Sequence, residues 1–113
     1  MKLTYIYDSD DFVSAQFEAT QEEIEQMAKL FETSIEEMKG CWFCVGQFKN
    51  EDNILDCIQV YNDTWESNCD LTMADFKEDS IKDLQNLFNK LIQSTSKEDN
   101  DKLLGTFINL EVA

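Results

Sequence analysis

Residues 2–23 have the sequence KLTYIYDSDDFVSAQFEATQEE, which contains the signals for three successive structural elements. Residues 2–7 and 12–19 alternate along the chain between two sets of side chains, many of them aromatic or apolar. This period of two is typical of β-strands, and the Asp and Ser residues at positions 8–11 are typical of turns. We therefore predict a β-hairpin with an acidic turn, followed by a helix.

The helix is predicted from its capping residues and its apolar periodicity. Thr20 and Glu23 have the spacing of a capping box, in which each side chain accepts a hydrogen bond from the backbone N–H of the other residue. Gly40 suits the position after a helix, where the backbone is left-handed. Between these signals, apolar residues recur at helical spacing: Ile24, Met27, Ala28, Phe31, Ile35 and Met38. We interpret this pattern as one helix over residues 20–39.

A second pair of strands is predicted after this helix. Residues 42–48 are apolar on both faces of a strand, which is typical of a strand at the centre of a sheet. Residues 50–53 predict a turn, and residues 54–61 predict a strand that returns beside the first one. The segment 62–70 has no clear periodicity, and we expect Trp65 to anchor it as a loop.

The last third of the chain predicts a second helix and a final strand. Apolar residues again recur at helical spacing: Ile81, Leu84, Leu87, Phe88, Leu91 and Ile92. Thr72 and Ser80 are alternative caps for this helix, because each is followed by Asp three residues later. Residues 94–101 are polar and predict a connection. The alternation over residues 104–112 predicts a strand.

The predicted elements follow the order ββαββαβ. Hairpins favour an antiparallel sheet, so we expect an α+β fold with four or five antiparallel strands and two helices on one face. With no Pro and three Gly in 113 residues, nothing suggests a linker, and residues 1–113 are expected to form one domain. The predicted core contains Ile24, Met27, Phe31, Ile35, Phe43, Val45, Leu84, Phe88 and Leu91.

Charge is the strongest indication of function. The chain has 24 Asp and Glu residues, 9 cationic residues and no His, which gives a formal net charge of −15. Such a charge opposes direct binding to nucleic acid or to anionic membranes, and at physiological salt it attracts basic proteins over about 8 Å. Without His or a Gly-rich phosphate loop, we expect a protein that is not an enzyme and needs no cofactor.

The N-terminal residues lack the pattern of a signal peptide, and no segment approaches the roughly 20 apolar residues of a membrane span. We therefore expect a cytoplasmic location, in a bacterial cell or in a phage-infected host.

The four cysteines suggest a zinc site or a redox pair, and neither interpretation is favoured. Cys41 and Cys44 form a C-x-x-C pair, whereas Cys57 and Cys69 follow singly. A strand directs residues three apart to opposite faces, which opposes chelation of a metal ion. A reactive thiol needs a helix N-terminus or cations beside it, and this pair follows a helix end in an acidic protein. We expect core thiols that act as small hydrophobic side chains, and no metal.

Acidic side chains are the candidate partner-binding residues. Four of them share the outer sector of the predicted helix, and three lie in the hairpin turn: Glu22, Glu25, Glu32 and Glu36, and Asp8, Asp10 and Asp11. Like charges four residues apart destabilise a helix by a few tenths of a kcal/mol, so stability alone does not favour this arrangement. We predict that these seven carboxylates contact a basic partner.

Three functions fit these features. The first is an inhibitor that occupies the basic nucleic-acid-binding surface of an effector or nuclease, as small acidic antirestriction and anti-CRISPR proteins do. The second is an immunity or antitoxin protein that masks a cationic toxin, which would also need an aromatic anchor patch such as Trp42, Tyr61 and Trp65. The third is an acidic housekeeping domain without inhibitory role, in which the carboxylates serve only solubility.

Overall fold

The structure, a computed structural model, describes residues 1–52, 55–61, 67–94 and 96–113, with the backbone alone at residues 67–70. The strands are β1 (Lys2–Asp8), β2 (Phe12–Glu18), β3 (Trp42–Phe48), β4 (Leu55–Tyr61) and β5 (Ser67–Leu71). The described helices are α1 (Gln21–Leu30), α2 (Ile35–Met38), α3 (Glu78–Gln93) and α4 (Lys97–Leu103), and a 3-10 turn (Met73–Asp75) precedes α3. The strands form one antiparallel sheet in the order β1-β2-β3-β4-β5.

The predicted class, α+β with an antiparallel sheet, is confirmed, and so is the hairpin with its acidic turn. β1 pairs with β2, and Tyr7 lies opposite Ser14. Ser9 closes the turn, because its backbone N–H donates to the carbonyl oxygen of Phe12 at 2.9 Å. β3 is the central strand, as its two apolar faces predict.

One face of the sheet carries the hydrophobic core. The side chains of Phe17, Phe43 and Val45 lie on this face and are at most 1% exposed. Leu84 and Phe88 of α3 are 0% exposed and belong to the same cluster, to which α1 adds two buried side chains. α1 and α3 therefore lie on the same face of the sheet, as the apolar stripes predict.

Most of the predicted core residues are buried: Met27, Phe43, Val45, Leu84, Phe88 and Leu91. Ile24 and Phe31 are partly buried against this cluster. Ile35 is 38% exposed, so its assignment to the core is wrong. The reason is that the first helix ends before Ile35.

The single helix predicted over residues 20–39 is wrong. α1 ends in a left-handed turn, because Glu32 has a φ of 54°. The N–H groups of Glu32 and Thr33 donate to the carbonyl oxygens of Lys29 and Ala28 at 3.2 and 2.9 Å. These two bonds form a Schellman motif, which satisfies the last carbonyl groups of α1 and turns the chain away from the helix axis.

A second cap then starts the short helix α2. The hydroxyl of Ser34 accepts a hydrogen bond from the N–H of Glu37 at 3.2 Å. Ser34 and Glu37 have the same spacing as Thr20 and Glu23, so the sequence contains a restart signal inside the predicted helix.

After β4, the structure differs from the sequence-based prediction in two elements. Residues 67–71 form an edge strand, where the sequence predicts only a loop over residues 62–70. α3 begins at Glu78, and neither of the two predicted caps starts it. Thr72 caps the 3-10 turn instead, and the Ser80 hydroxyl accepts a hydrogen bond from the C-terminal segment.

The polar connection predicted over residues 94–101 is also wrong in part, because residues 97–103 form α4. The Ser96 hydroxyl accepts from the N–H of Asp99 at 3.2 Å. This bond is a helix cap, and its Ser-x-x-Asp pattern is visible in the sequence.

The C-terminal segment 104–112 is not the strand that its alternation predicts. The alternation itself is real, since Ile108 and Leu110 are buried and Phe107 is 70% exposed. Within the described chain, however, this segment is not a member of the sheet: its backbone makes hydrogen bonds to Met1, Leu3 and Lys77, and its strand-like pairing is limited to two isolated bridges. The N–H of Leu110 donates to the carboxylate of Glu23 at 3.2 Å, so a side chain takes the place of a strand partner.

Candidate binding surface

Among the described residues, the face of the sheet opposite the core is lined mainly by uncharged side chains, and its charged residues are Lys2 and Glu18, which pair with each other, and Asp56 on β4. We call the uncharged part of this face the open face. Its members alternate with core residues along four strands: Tyr5, Tyr7, Phe12, Ser14, Gln16, Trp42, Cys44, Phe48, Gln59 and Tyr61. A depression of about 530 Å³ lies among these side chains. Because α1 and α3 pack against the other face, these two helices leave the open face accessible.

Aromatic rings on the open face are accessible to a partner. Tyr5, Tyr7 and Phe48 are 57%, 54% and 53% exposed. The rings of Phe12 and Phe48 pack edge to face, with 5.0 Å between their centroids. The Phe12 ring also occupies the space that a Cβ atom on Gly46 would need, which explains a glycine in the middle of the central strand.

Two of the three aromatic anchors suggested by the sequence lie on the open face. Trp42 and Tyr61 are half-buried there, opposite each other on β3 and β4. Trp65 lies outside the described residues. The sequence did not single out the four aromatic residues beside them: Tyr5, Tyr7, Phe12 and Phe48. For Phe48, the sequence indication is that residues 42–48 are apolar on both faces of the strand. For Phe12, it is that this residue lies on the face of β2 that does not carry Val13 and Phe17.

The two turns at one end of the open face are acidic. They lie side by side, since the N–H of Lys49 donates to the carbonyl oxygen of Asp11 at 2.8 Å. The ammonium group of Lys49 contacts the carboxylate of Asp8. The acidic residues of the two turns are exposed, and we call them the acidic end: Asp8, Asp10, Asp11, Glu51 and Asp52. The three hairpin carboxylates predicted as binding residues are therefore part of a larger cluster.

The four predicted helix carboxylates are exposed, but they do not form one helix face. Glu22 and Glu25 lie on α1, Glu32 lies in the left-handed turn, and Glu36 lies on α2. Glu36 accepts a hydrogen bond from the ammonium group of Lys39 at 3.0 Å. The helices that carry these residues pack on the core face, so the seven predicted carboxylates occupy two separate surfaces.

The cysteines do not converge on a metal site in the described part of the chain, which contains no group of three or more His, Cys, Asp or Glu suited to a metal ion. The Cys41 thiol donates to the carbonyl oxygen of Glu37 at 3.5 Å. Cys44 is half-buried on the open face, and burial raises the pKa of its thiol to about 11. Cys57 is half-buried on β4, and the side chain of Cys69 lies outside the described residues.

Titration with Co²⁺ at neutral pH should give no one-to-one complex. A metal ion binds the thiolate form of cysteine. Because the pKa of the Cys44 thiol is about 11, this thiol is protonated at neutral pH. The measurement is the near-ultraviolet absorption of cobalt–thiolate bonds during titration of the reduced protein. A stoichiometric signal that disappears in Cys44→Ser would contradict the prediction.

Comparison with protein-family models, with curated proteins and with solved structures finds no match to this chain. No helix within residues 1–52, 55–61, 67–94 and 96–113 combines the length and the apolar character that crossing a bilayer requires. Any functional conclusion therefore depends on the acidic end, the open face and the charge of the whole chain.

Proposed function

We propose that this chain is a non-enzymatic binding protein that occupies the basic, nucleic-acid-binding surface of a partner protein. The acidic end carries this proposal, because five exposed carboxylates lie on two adjacent turns with one Lys side chain among them. The net charge of −15 adds a long-range field that attracts a basic partner. The partner would be a nucleic-acid-binding effector or a nuclease in the cytoplasm of a bacterial or phage-infected cell.

The mechanism is competition for one surface. Lys and Arg side chains that hold phosphate groups would instead hold carboxylates such as those of Asp10, Glu51 and Asp52. The partner cannot bind nucleic acid at the same time, as with antirestriction and anti-CRISPR inhibitors of this type. Such complementary charge speeds association and is screened by salt. No cofactor and no catalytic residue take part.

Capture from a bacterial lysate tests this proposal. The immobilised protein should retain basic nucleic-acid-binding proteins at low salt and release them to excess duplex DNA. Binding should weaken as salt rises, since the Debye length falls from about 30 Å at 0.01 M to about 8 Å at physiological ionic strength. Retention that is insensitive to both salt and DNA would contradict charge competition.

Matched charge reversals identify the surface that makes the contact. Two triple variants change the net charge equally, one at the acidic end and one on the helices: Asp10→Lys, Glu51→Lys and Asp52→Lys, and Glu25→Lys, Glu32→Lys and Glu36→Lys. We expect the first set to weaken binding to the purified partner about tenfold or more, since each reversal replaces an ion pair by repulsion. The second set tests the helix carboxylates predicted from the sequence. Equal losses would mean that total charge, and not the acidic end, determines binding.

The open face favours a second candidate, an immunity protein that masks a cationic toxin. Interfaces of that kind take much of their affinity from a few buried aromatic residues, and the open face presents such residues beside the acidic end. The two candidates differ in whether nucleic acid competes with this chain for the partner. Nucleic acid should displace this chain from a partner bound through its nucleic-acid site, whereas a toxin bound elsewhere should stay bound.

A further inference from the structure

The open face has the composition of a contact surface. The outward positions of an antiparallel sheet are usually polar, since they alternate with core positions and face water. Here they include aromatic residues from all four of the strands involved: Tyr5, Tyr7, Phe12, Trp42, Phe48 and Tyr61. The charged residues described on this side of the sheet are Lys2 and Glu18, at the end of the strands away from the acidic end, and Asp56 on β4, so the aromatic patch itself is uncharged. Exposed aromatic patches of this kind mark interaction sites.

The aromatic residues meet the acidic end at one rim. Tyr7 precedes Asp8 in the chain, Phe12 follows Asp11, and Phe48 precedes the acidic β3–β4 turn. A single partner segment that crosses this rim would therefore contact aromatic rings and carboxylates together.

Charge excludes several occupants of this rim. A second copy of the chain would bring a further charge of −15, and nucleic acid would bring phosphate groups, so both would be repelled. An uncharged apolar segment would cover the rings but leave the carboxylates without partners. The surface is complementary to a group that is cationic and also has flat apolar faces.

We propose that the open face and the acidic end together bind an arginine-rich segment of the partner protein, an inference that rests on the proposed function. Guanidinium groups stack on the exposed rings of Tyr7 and Phe48 and form paired hydrogen bonds with carboxylates of the acidic end. A lysine ammonium group provides a point charge but no flat face and no paired donors. The aromatic rings therefore make the surface selective for arginine over lysine.

Fluorescence anisotropy with labelled nona-arginine and nona-lysine peptides tests this selectivity. We expect nona-arginine to bind about fivefold or more tightly, because stacking on exposed rings adds to charge attraction. The double variant Tyr7→Thr and Phe48→Thr should remove most of that difference and leave nona-lysine binding unchanged. Threonine keeps a preference for strands, and both native side chains are more than half exposed, so circular dichroism should show an intact fold.

A matched control lies outside the open face. Phe107 is 70% exposed on the C-terminal segment, and Phe107→Thr should keep the full preference for nona-arginine. Should the double variant fail to fold, Tyr7→Thr alone, at a side chain 54% exposed, provides the same test on a single ring.

The outcomes separate the two proposals. Suppose that both peptides bind equally, that the acidic-end triple variant loses this binding, and that the threonine variants keep it. This result would overturn arginine selectivity but would still agree with charge competition. Binding of neither peptide would overturn both. Sedimentation should show the protein alone as a monomer, and a dimer that the threonine variants dissociate would overturn the assignment of the open face to a basic partner.

Discussion

Replacement of Glu23 by glutamine should lower the free energy of unfolding by about 3–5 kcal/mol, which is typical when one member of a buried ion pair is removed. The Glu23 side chain is 4% exposed, and its carboxylate lies 2.8 Å from the ammonium group of Met1. It also accepts hydrogen bonds from the N–H groups of Thr20 at 2.9 Å and Leu110 at 3.2 Å. Glutamine keeps the size of the side chain but leaves the ammonium group buried without an opposite charge.

Urea denaturation of the purified variants measures this loss. Glu22→Gln is the matched control, because Glu22 is the exposed neighbour in the same helical turn, and its change should stay within about 0.5 kcal/mol. A loss below about 1 kcal/mol in Glu23→Gln would mean that the buried pair contributes little beyond its desolvation cost.

The substitution Phe88→Ala should also cost about 3–5 kcal/mol, because it removes a large buried side chain and leaves a cavity. Phe88 lies on α3, is 0% exposed and belongs to the cluster between the helices and the sheet. A small domain is usually stable by only about 5–15 kcal/mol, so the variant should unfold at much lower urea concentration.

Phe31→Ala provides the comparison for Phe88→Ala. Phe31 is only partly buried at the end of α1, so the loss should be clearly smaller, although the sequence pattern places both residues in the core. Equal losses at the two positions would contradict the packing described above. Phe88→Leu, which removes fewer atoms, gives a measurable value if the alanine variant does not accumulate.

The sequence predicted the secondary structure correctly where a single local pattern, such as a capping box or a period of two, determined the element. The hairpin and the start of α1 depend on residues that are neighbours in the chain, such as Thr20 and Glu23. The errors arose where two signals overlapped. The apolar spacing continues on both sides of Ser34, so it predicts one long helix and hides the cap at that residue. The polar composition around Ser96 predicts a connection, although Ser96 caps α4.

The candidate binding surface was predictable only in part. Asp8, Asp10 and Asp11 follow from the composition of one turn, and Glu51 and Asp52 join them because β2 pairs with β3. The exposed aromatic residues were not predicted, because a strand with two apolar faces has the same sequence pattern whether a helix or a partner covers its second face.

The sequence by itself determined the sign of the charge, the hairpin, the capped start of the first helix and the class of the fold, because each depends on composition or on residues a few positions apart. Only the tertiary structure decided which sheet face is covered, that residues 104–112 form no strand, and that Glu23 is buried. These features depend on contacts between distant positions, as in the hydrogen bond from Leu110 to Glu23 across 87 residues. Local periodicity contains no information about such contacts, since they form only when the whole core assembles.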